Sequence, residues 1–197
     1  MSKRQSGVLF PIFSLPGEYG CGTFSRAAMN FVKKIGESGF SLWQVLPFGI
    51  TDSFHSPYMS LSSFGGNPYF IDPEALYEEG LVTREELEEQ KVSDPYLCDY
   101  AFLEEKRLPF LKKAALRCKD RGAVYAFLEK NPELAGTCRF LALREKNEFR
   151  PWNEWTSQKP DEETLFAHGF MQYEFHRQWD KLRRFCKDYQ IEVIGDL

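Results

Sequence analysis

Histidine is scarce in these 197 residues, and cysteine is present without pattern. The 3 histidines are His55, His168 and His176, and no two stand four apart, so a helical metal-binding face is excluded. The 5 cysteines (Cys21, Cys98, Cys118, Cys138 and Cys186) are odd in number and form no Cys-x-x-Cys. That argues against a disulfide framework and against structural zinc. Free thiols suit a reducing compartment. Nowhere is there a run of about 18 apolar residues, the length a membrane-spanning helix needs. The start, Met1-Ser2-Lys3-Arg4-Gln5-Ser6, leads only into a short apolar run that contains Pro11 and no small-residue cleavage site, a poor signal peptide. These absences predict a cytoplasmic chain with no membrane partner.

Excess charge is missing too. Against 25 Lys+Arg stand 29 Asp+Glu, a net charge of -4, so no basic surplus exists to neutralise phosphates and no nucleic-acid partner is expected. No Gly-x-Ser-x-Gly elbow occurs, and no cysteine sits in an activating context. The turn Gly17-x-x-Gly20-x-Gly22 lies where a phosphate loop would lie. Counting from Gly20, the dinucleotide fingerprint needs a third glycine where Ser25 stands, and no Walker lysine follows. A tight turn needing positive φ accounts better for these glycines.

Aromatic residues are abundant: 18 Phe, 9 Tyr and 4 Trp make up 16% of the chain. That apolar area offsets ordering entropy and excludes general disorder. Gly7–Phe13 reads as a strand, and Ser25 as the N-cap of a helix carrying Ala28, Phe31, Val32 and Ile35 on one face. Gly39 sits at its C-terminal cap, and Leu42–Pro47 reads as a second strand. Strand, helix, strand at this spacing predicts a βαβ unit with parallel neighbours. Thr83 and Glu86 form a capping box, and residues 99–120, 122–130 and 132–147 read as helices, with Pro132 at N1. A long helix is expected from Asp161 to Asp188, then a third strand over Ile191–Leu197.

A chain that stops on a core strand of a parallel sheet leaves edges and faces uncovered. Two readings follow: a small three-stranded α/β protein, or the N-terminal part of a larger βα barrel with an all-helical insertion after its second strand. The second is preferred. Asp196 then falls at the C-terminal end of a barrel strand, where ligand-facing residues are found, although a structural aspartate is equally compatible. The carboxylate pairs at Glu85-Glu86, Glu88-Glu89 and Glu104-Glu105 lie among Lys and Arg and read as solvated helix faces.

The stretch Phe48–Ile71 has no regular period and is rich in Ser, Gly, Pro and aromatics. Structureless loops longer than about 15 residues are usually functional. Its hydroxyls can hydrogen-bond sugar hydroxyls, and its rings can stack on the C–H face of a pyranose. An ordered structural loop whose aromatics plug the core is the equal alternative. His55 is the one histidine with a site role in view; His168 and His176 read as packed or surface residues.

Four blocks in order resemble one family. They are Ser6-Gly7-Val8-Leu9 through Ser14-Leu15-Pro16-Gly17-x-Tyr19-Gly20-x-Gly22; Trp43-Gln44-Val45-Leu46-Pro47; Ser56-Pro57-Tyr58 through Gly66-Asn67-Pro68-Tyr69-Phe70-Ile71-Asp72; and Ile194-Gly195-Asp196-Leu197. The chain resembles the 4-α-glucanotransferases called amylomaltase or disproportionating enzyme. The resemblance implies an α/β fold, the N-terminal part of a (β/α)8 TIM barrel holding its first three strands, with an all-helical insertion between strands 2 and 3. It implies three parts: 1–71 with the first strands and substrate loop, 72–160 as the insertion, and 161–197 with a barrel helix and the third strand. It also implies transfer of α-1,4-glucan segments between maltodextrins or to a glucose acceptor, with retention, without cofactor or metal. The family's reacting carboxylates lie on later strands, so none of residues 1–197 is expected to be catalytic and the chain alone is expected to be inactive. The alternatives are a non-catalytic glucan-binding fragment and an α-glucan hydrolase on a related barrel. Tyr58 and Ser56 are implied to line the glucan site, and Asn67 to fix the loop. Family members usually carry Gly-Tyr-Gly-Asp where this chain has Asp52-Ser53-Phe54-His55. The family aromatic aligns with Ser53, leaving Phe54 to substitute from the next position and His55 to hydrogen-bond in place of the aspartate.

Overall fold

The structure, a computed structural model, describes residues 4–196. The leader reading of residues 1–3 and the strand reading of Leu197 lie outside the described residues. Three short strands, β1 (Gly7–Leu9), β2 (Leu42–Gln44) and β3 (Glu192–Ile194), form one sheet in the order β1-β2-β3. Both pairings are parallel, with Val8 opposite Trp43 and Trp43 opposite Val193. Parallel strands need a crossover. α1 (Arg26–Glu37) supplies the first, and α8 (Glu162–Asp188) leads into β3. Between β2 and β3 run α2 (Pro73–Glu78), α3 (Arg84–Glu88), α4 (Tyr100–Phe102), α5 (Leu108–Leu116), α6 (Arg121–Lys130) and α7 (Pro132–Lys146).

Local chemistry sets the helix ends. Ser25 accepts the Ala27 N–H, Thr83 and Glu86 close a reciprocal capping box, and Asp161 accepts the Thr164 N–H. Gly39 takes φ +85° just past α1, the left-handed conformation glycine adopts freely. Every strand is shorter than its apolar run. After Leu9 the chain turns at Pro11 into a three-ten turn, Ile12–Ser14, because proline fixes φ and offers no N–H to the ladder. The expected 99–120 helix is broken by a π-helical turn, Leu103–Arg107.

The core lies between sheet and helices. Trp43 is wholly buried, with its indole N–H donating to the Phe10 carbonyl at 2.7 Å. Ala28, Val32 and Ile35 of α1 and Phe175, Leu182 and Cys186 of α8 complete the same cluster. Arg107 is also wholly buried. Its guanidinium donates to the Tyr19 carbonyl at 2.6 Å, to Gln90 at 3.1 Å, and to the Tyr69 and Ile71 carbonyls. It thereby fastens the π turn to the end of the long loop and to the turn after β1. Burial pulls this guanidinium below its usual pKa.

Candidate functional site

The loop after β2 is more ordered than its composition suggests. Isolated antiparallel bridges join Gly49 to Gly66 and Thr51 to Ser60. The Ile50 N–H donates to the Gly65 carbonyl, and the Asn67 N–H to the Phe48 carbonyl. Two side chains from distant helices tie the loop down. Gln172 of α8 grips the Gly66 peptide at both ends, accepting its N–H and donating to its carbonyl, each at 2.8 Å. Ser62 and Thr137 of α7 share a hydroxyl contact of 2.8 Å. Gly66 must be glycine, since a Cβ there would sit 2.4 Å from the Phe175 ring. Asn67 accepts the Tyr69 N–H at 3.0 Å and is buried, a loop-fixing role.

Tyr58 and Asp196 come together across 138 residues of sequence: the phenol donates to the carboxylate at 2.8 Å. Asp196 follows the C-terminal end of β3, and Tyr58 reaches it from the loop beyond the same end of β2. The carboxylate raises the Tyr58 phenol above its ordinary pKa, keeping it a donor. Both side chains line an open cleft of about 620 Å³, shared with Pro47, Phe48, Pro57 and Trp179. Tyr58 keeps 57% of its surface exposed, so its ring face is available to a ligand.

The other three site residues lie elsewhere. Ser56 builds the turn into Tyr58, its hydroxyl accepting the Tyr58 N–H at 3.4 Å. Phe54 is 83% exposed at the loop tip and lines neither this cleft nor the neighbouring pocket. His55 turns away, held at φ +56° with its N–H donating to the Asp52 carbonyl. Its ring stacks on Tyr100 at 4.1 Å between centroids and 1° between planes, and its Nε2 is 3.5 Å from Glu104. This places it in a second pocket of about 380 Å³ between the loop and α7. The loop is thus divided: Tyr58 faces the strand ends, and His55 faces the helices.

Sequence reasoning missed Gln172, Trp179, Tyr100 and Arg107, which shape the site from α8 and from the segment around the π turn. None carries a local signal; each matters through a partner far along the chain. His168 is buried and paired with Glu145 at 2.8 Å, the packed role expected of it. Among the described residues no group of three or more His, Cys, Asp or Glu is placed to hold a metal ion, and no helix is long and apolar enough to cross a membrane.

Comparison with known proteins bears on this geometry. A family model described as 4-alpha-glucanotransferase matches residues 10–197. A 4-alpha-glucanotransferase of Streptococcus pneumoniae is 36% identical over 220 residues, covering 100% of this chain and 43% of the relative. The Thermus thermophilus 4-alpha-glucanotransferase is 35% identical, covering 98% of this chain and 42% of its own. A solved amylomaltase from Streptococcus agalactiae, in complex with acarbose, superposes with a TM-score of 0.92 at 34% identity, over 99% of this chain and 43% of that one. The chain therefore spans less than half the length of the relatives it matches. With the family model covering nearly every residue and the fold superposing on a solved member over 99% of its length, the chain belongs to the 4-alpha-glucanotransferase family.

Proposed function

We propose that the protein, as a whole, is a cytoplasmic 4-α-glucanotransferase that moves α-1,4-glucan segments between maltodextrins or onto glucose. In this reading β1, β2 and β3 are the first three strands of a (β/α)8 barrel. Consecutive parallel strands in sequence order, with helical crossovers, are what such a barrel requires. Residues 1–71 and 161–197 then belong to the barrel, and 72–160 form a helical insertion between strands 2 and 3.

The observation that carries the reading is the Tyr58–Asp196 hydrogen bond at the C-terminal strand ends, the end at which barrel enzymes hold their substrates. The described residues supply substrate contact in this reading. Tyr58 offers a ring to the apolar face of a glucose unit, and Asp196 offers a carboxylate to its hydroxyls. The reacting carboxylates are assigned to later barrel strands, the nucleophile forming a glycosyl-enzyme intermediate and the second acting as acid, then base. Residues 1–197 alone bind glucan weakly in this reading and do not turn it over. No metal or organic cofactor has a part in it.

Calorimetry with maltoheptaose tests the binding role. The wild-type chain should bind, and Tyr58→Ala should weaken binding on the order of tenfold, the value of a lost ring contact. Equal heats from the two proteins would remove Tyr58 from the site.

A further inference from the structure

Two of the free thiols lie beside each other, away from the glucan cleft. Cys21 is buried, and its thiol donates to the Tyr69 carbonyl at 3.5 Å. Cys98 is half-buried and packs against the same small cluster, formed by Cys21, Tyr69 and Leu103. Between them runs a backbone hydrogen bond, from the Asp99 N–H to the Gly20 carbonyl at 2.7 Å. Cys21 follows the acceptor and Cys98 precedes the donor, so both are attached to the peptide groups that make this bond. The two thiols also interact directly with each other, the proximity a disulfide requires.

We propose that Cys21 and Cys98 form a reversible disulfide when the protein meets a small-molecule disulfide such as glutathione disulfide, with Cys98 as the attacking thiol. The Cys98 thiolate attacks one sulfur of glutathione disulfide. A protein–glutathione bond forms, and one glutathione thiolate leaves and takes up a proton. Cys21 then gives up its proton and attacks the Cys98 sulfur. The second glutathione leaves and is protonated in turn. Two protein thiols are oxidised to one disulfide, and one glutathione disulfide is reduced to two glutathione molecules.

The order of attack follows from the surroundings. Interaction with the Cys21 thiol holds Cys98 below the usual thiol pKa, with help from the Tyr100 hydroxyl and against its partial burial. The same contact, then burial, pushes Cys21 well above it. Cys98 is thus the more exposed and more ionised partner, the profile of an attacking thiol, and Cys21 that of the resolving one. Burial pushes Cys138 up to about 12 and Cys186 up to about 11, and raises Cys118, so these three are poor competitors. The bond would tie the turn after β1 to the segment entering α4, where Tyr100 supports the His55 ring.

The purified native protein is incubated with glutathione disulfide, alkylated, digested and analysed by peptide mass spectrometry. The expected product is a single cross-linked peptide pair holding Cys21 and Cys98, reversed by dithiothreitol. Cys21→Ser should stop at a glutathione adduct on Cys98, and Cys98→Ser should leave Cys21 free. Cys118 should react at least about tenfold more slowly. Wild-type protein giving no Cys21–Cys98 pair, or the same mixture of pairings as protein unfolded in urea, would overturn the proposal. So would Cys118 modified as fast as Cys98.

Discussion

Tyr58 and Asp196 show how little a single residue does alone. Tyr58 stands within a long stretch without regular secondary structure, yet its hydroxyl is fixed by a carboxylate that follows β3. Tyr58→Phe keeps the ring and removes that bond. It should weaken maltoheptaose binding by a few-fold, less than Tyr58→Ala, in the same titration. Equal losses would mean that the hydroxyl, not the ring, holds the sugar. Asp72 makes a different residue-scale case. It caps α2 by accepting the Glu74 N–H, but burial pushes its carboxyl up to about 6. An unfolded aspartate titrates near 3.9. Because the folded value is the higher one, the folded chain binds the extra proton between about 4 and 6. The stabilisation this gives is full below about 4 and is lost as pH rises through about 6. Asp72→Asn retains the cap without the buried charge. Thermal melts should show it more stable than wild type at pH 7.5 and level with wild type near pH 4.

Elements gain their shape from contacts both near and far. α3 depends on its capping box, so Thr83→Ala should cost about 1 kcal/mol in a denaturant titration. The loop before Asn67 depends instead on the close approach of Gly66 to Phe175. Gly66→Ala should cost about 1–3 kcal/mol by overpacking and should disturb the Gln172 clamp. Caps were legible in the sequence because Ser25, Thr83 and Glu86 act on N–H groups two or three residues away. The clamp was not, because Gln172 meets Gly66 across 106 residues and looks like any polar helix residue. Strand ends were read too long for a related reason. An apolar run such as Gly7–Phe13 marks burial, while pairing stops where Pro11 turns the chain. Asp196 could be picked out by its position at a strand end, and Tyr58 by the family resemblance of the Ser56-Pro57-Tyr58 block. That His55 and Phe54 leave the cleft could not, since the reversal rests on the positive φ of His55 and on a stacking partner, Tyr100, in another segment.

At the scale of the molecule, only β2 is paired on both sides among the described residues; β1 and β3 each present an outer edge. Leu9 and Ile194 on those strands are 56% and 41% exposed, and Phe64 by the cleft is 60% exposed. Open edges and exposed apolar side chains invite association. Residues 1–197 expressed alone should therefore melt broadly by circular dichroism and show concentration-dependent association by light scattering. A sharp, cooperative melt of a monomer would contradict this.

The proposed glucan transfer by the whole protein rests on the family, the sheet order and the Tyr58–Asp196 contact, and one assay tests it directly. The whole protein is incubated with maltotriose and the products are resolved by chromatography. Transfer should yield glucose together with maltopentaose and a ladder of longer maltodextrins. Unchanged maltotriose, or glucose and maltose with nothing longer than the starting sugar, would contradict it.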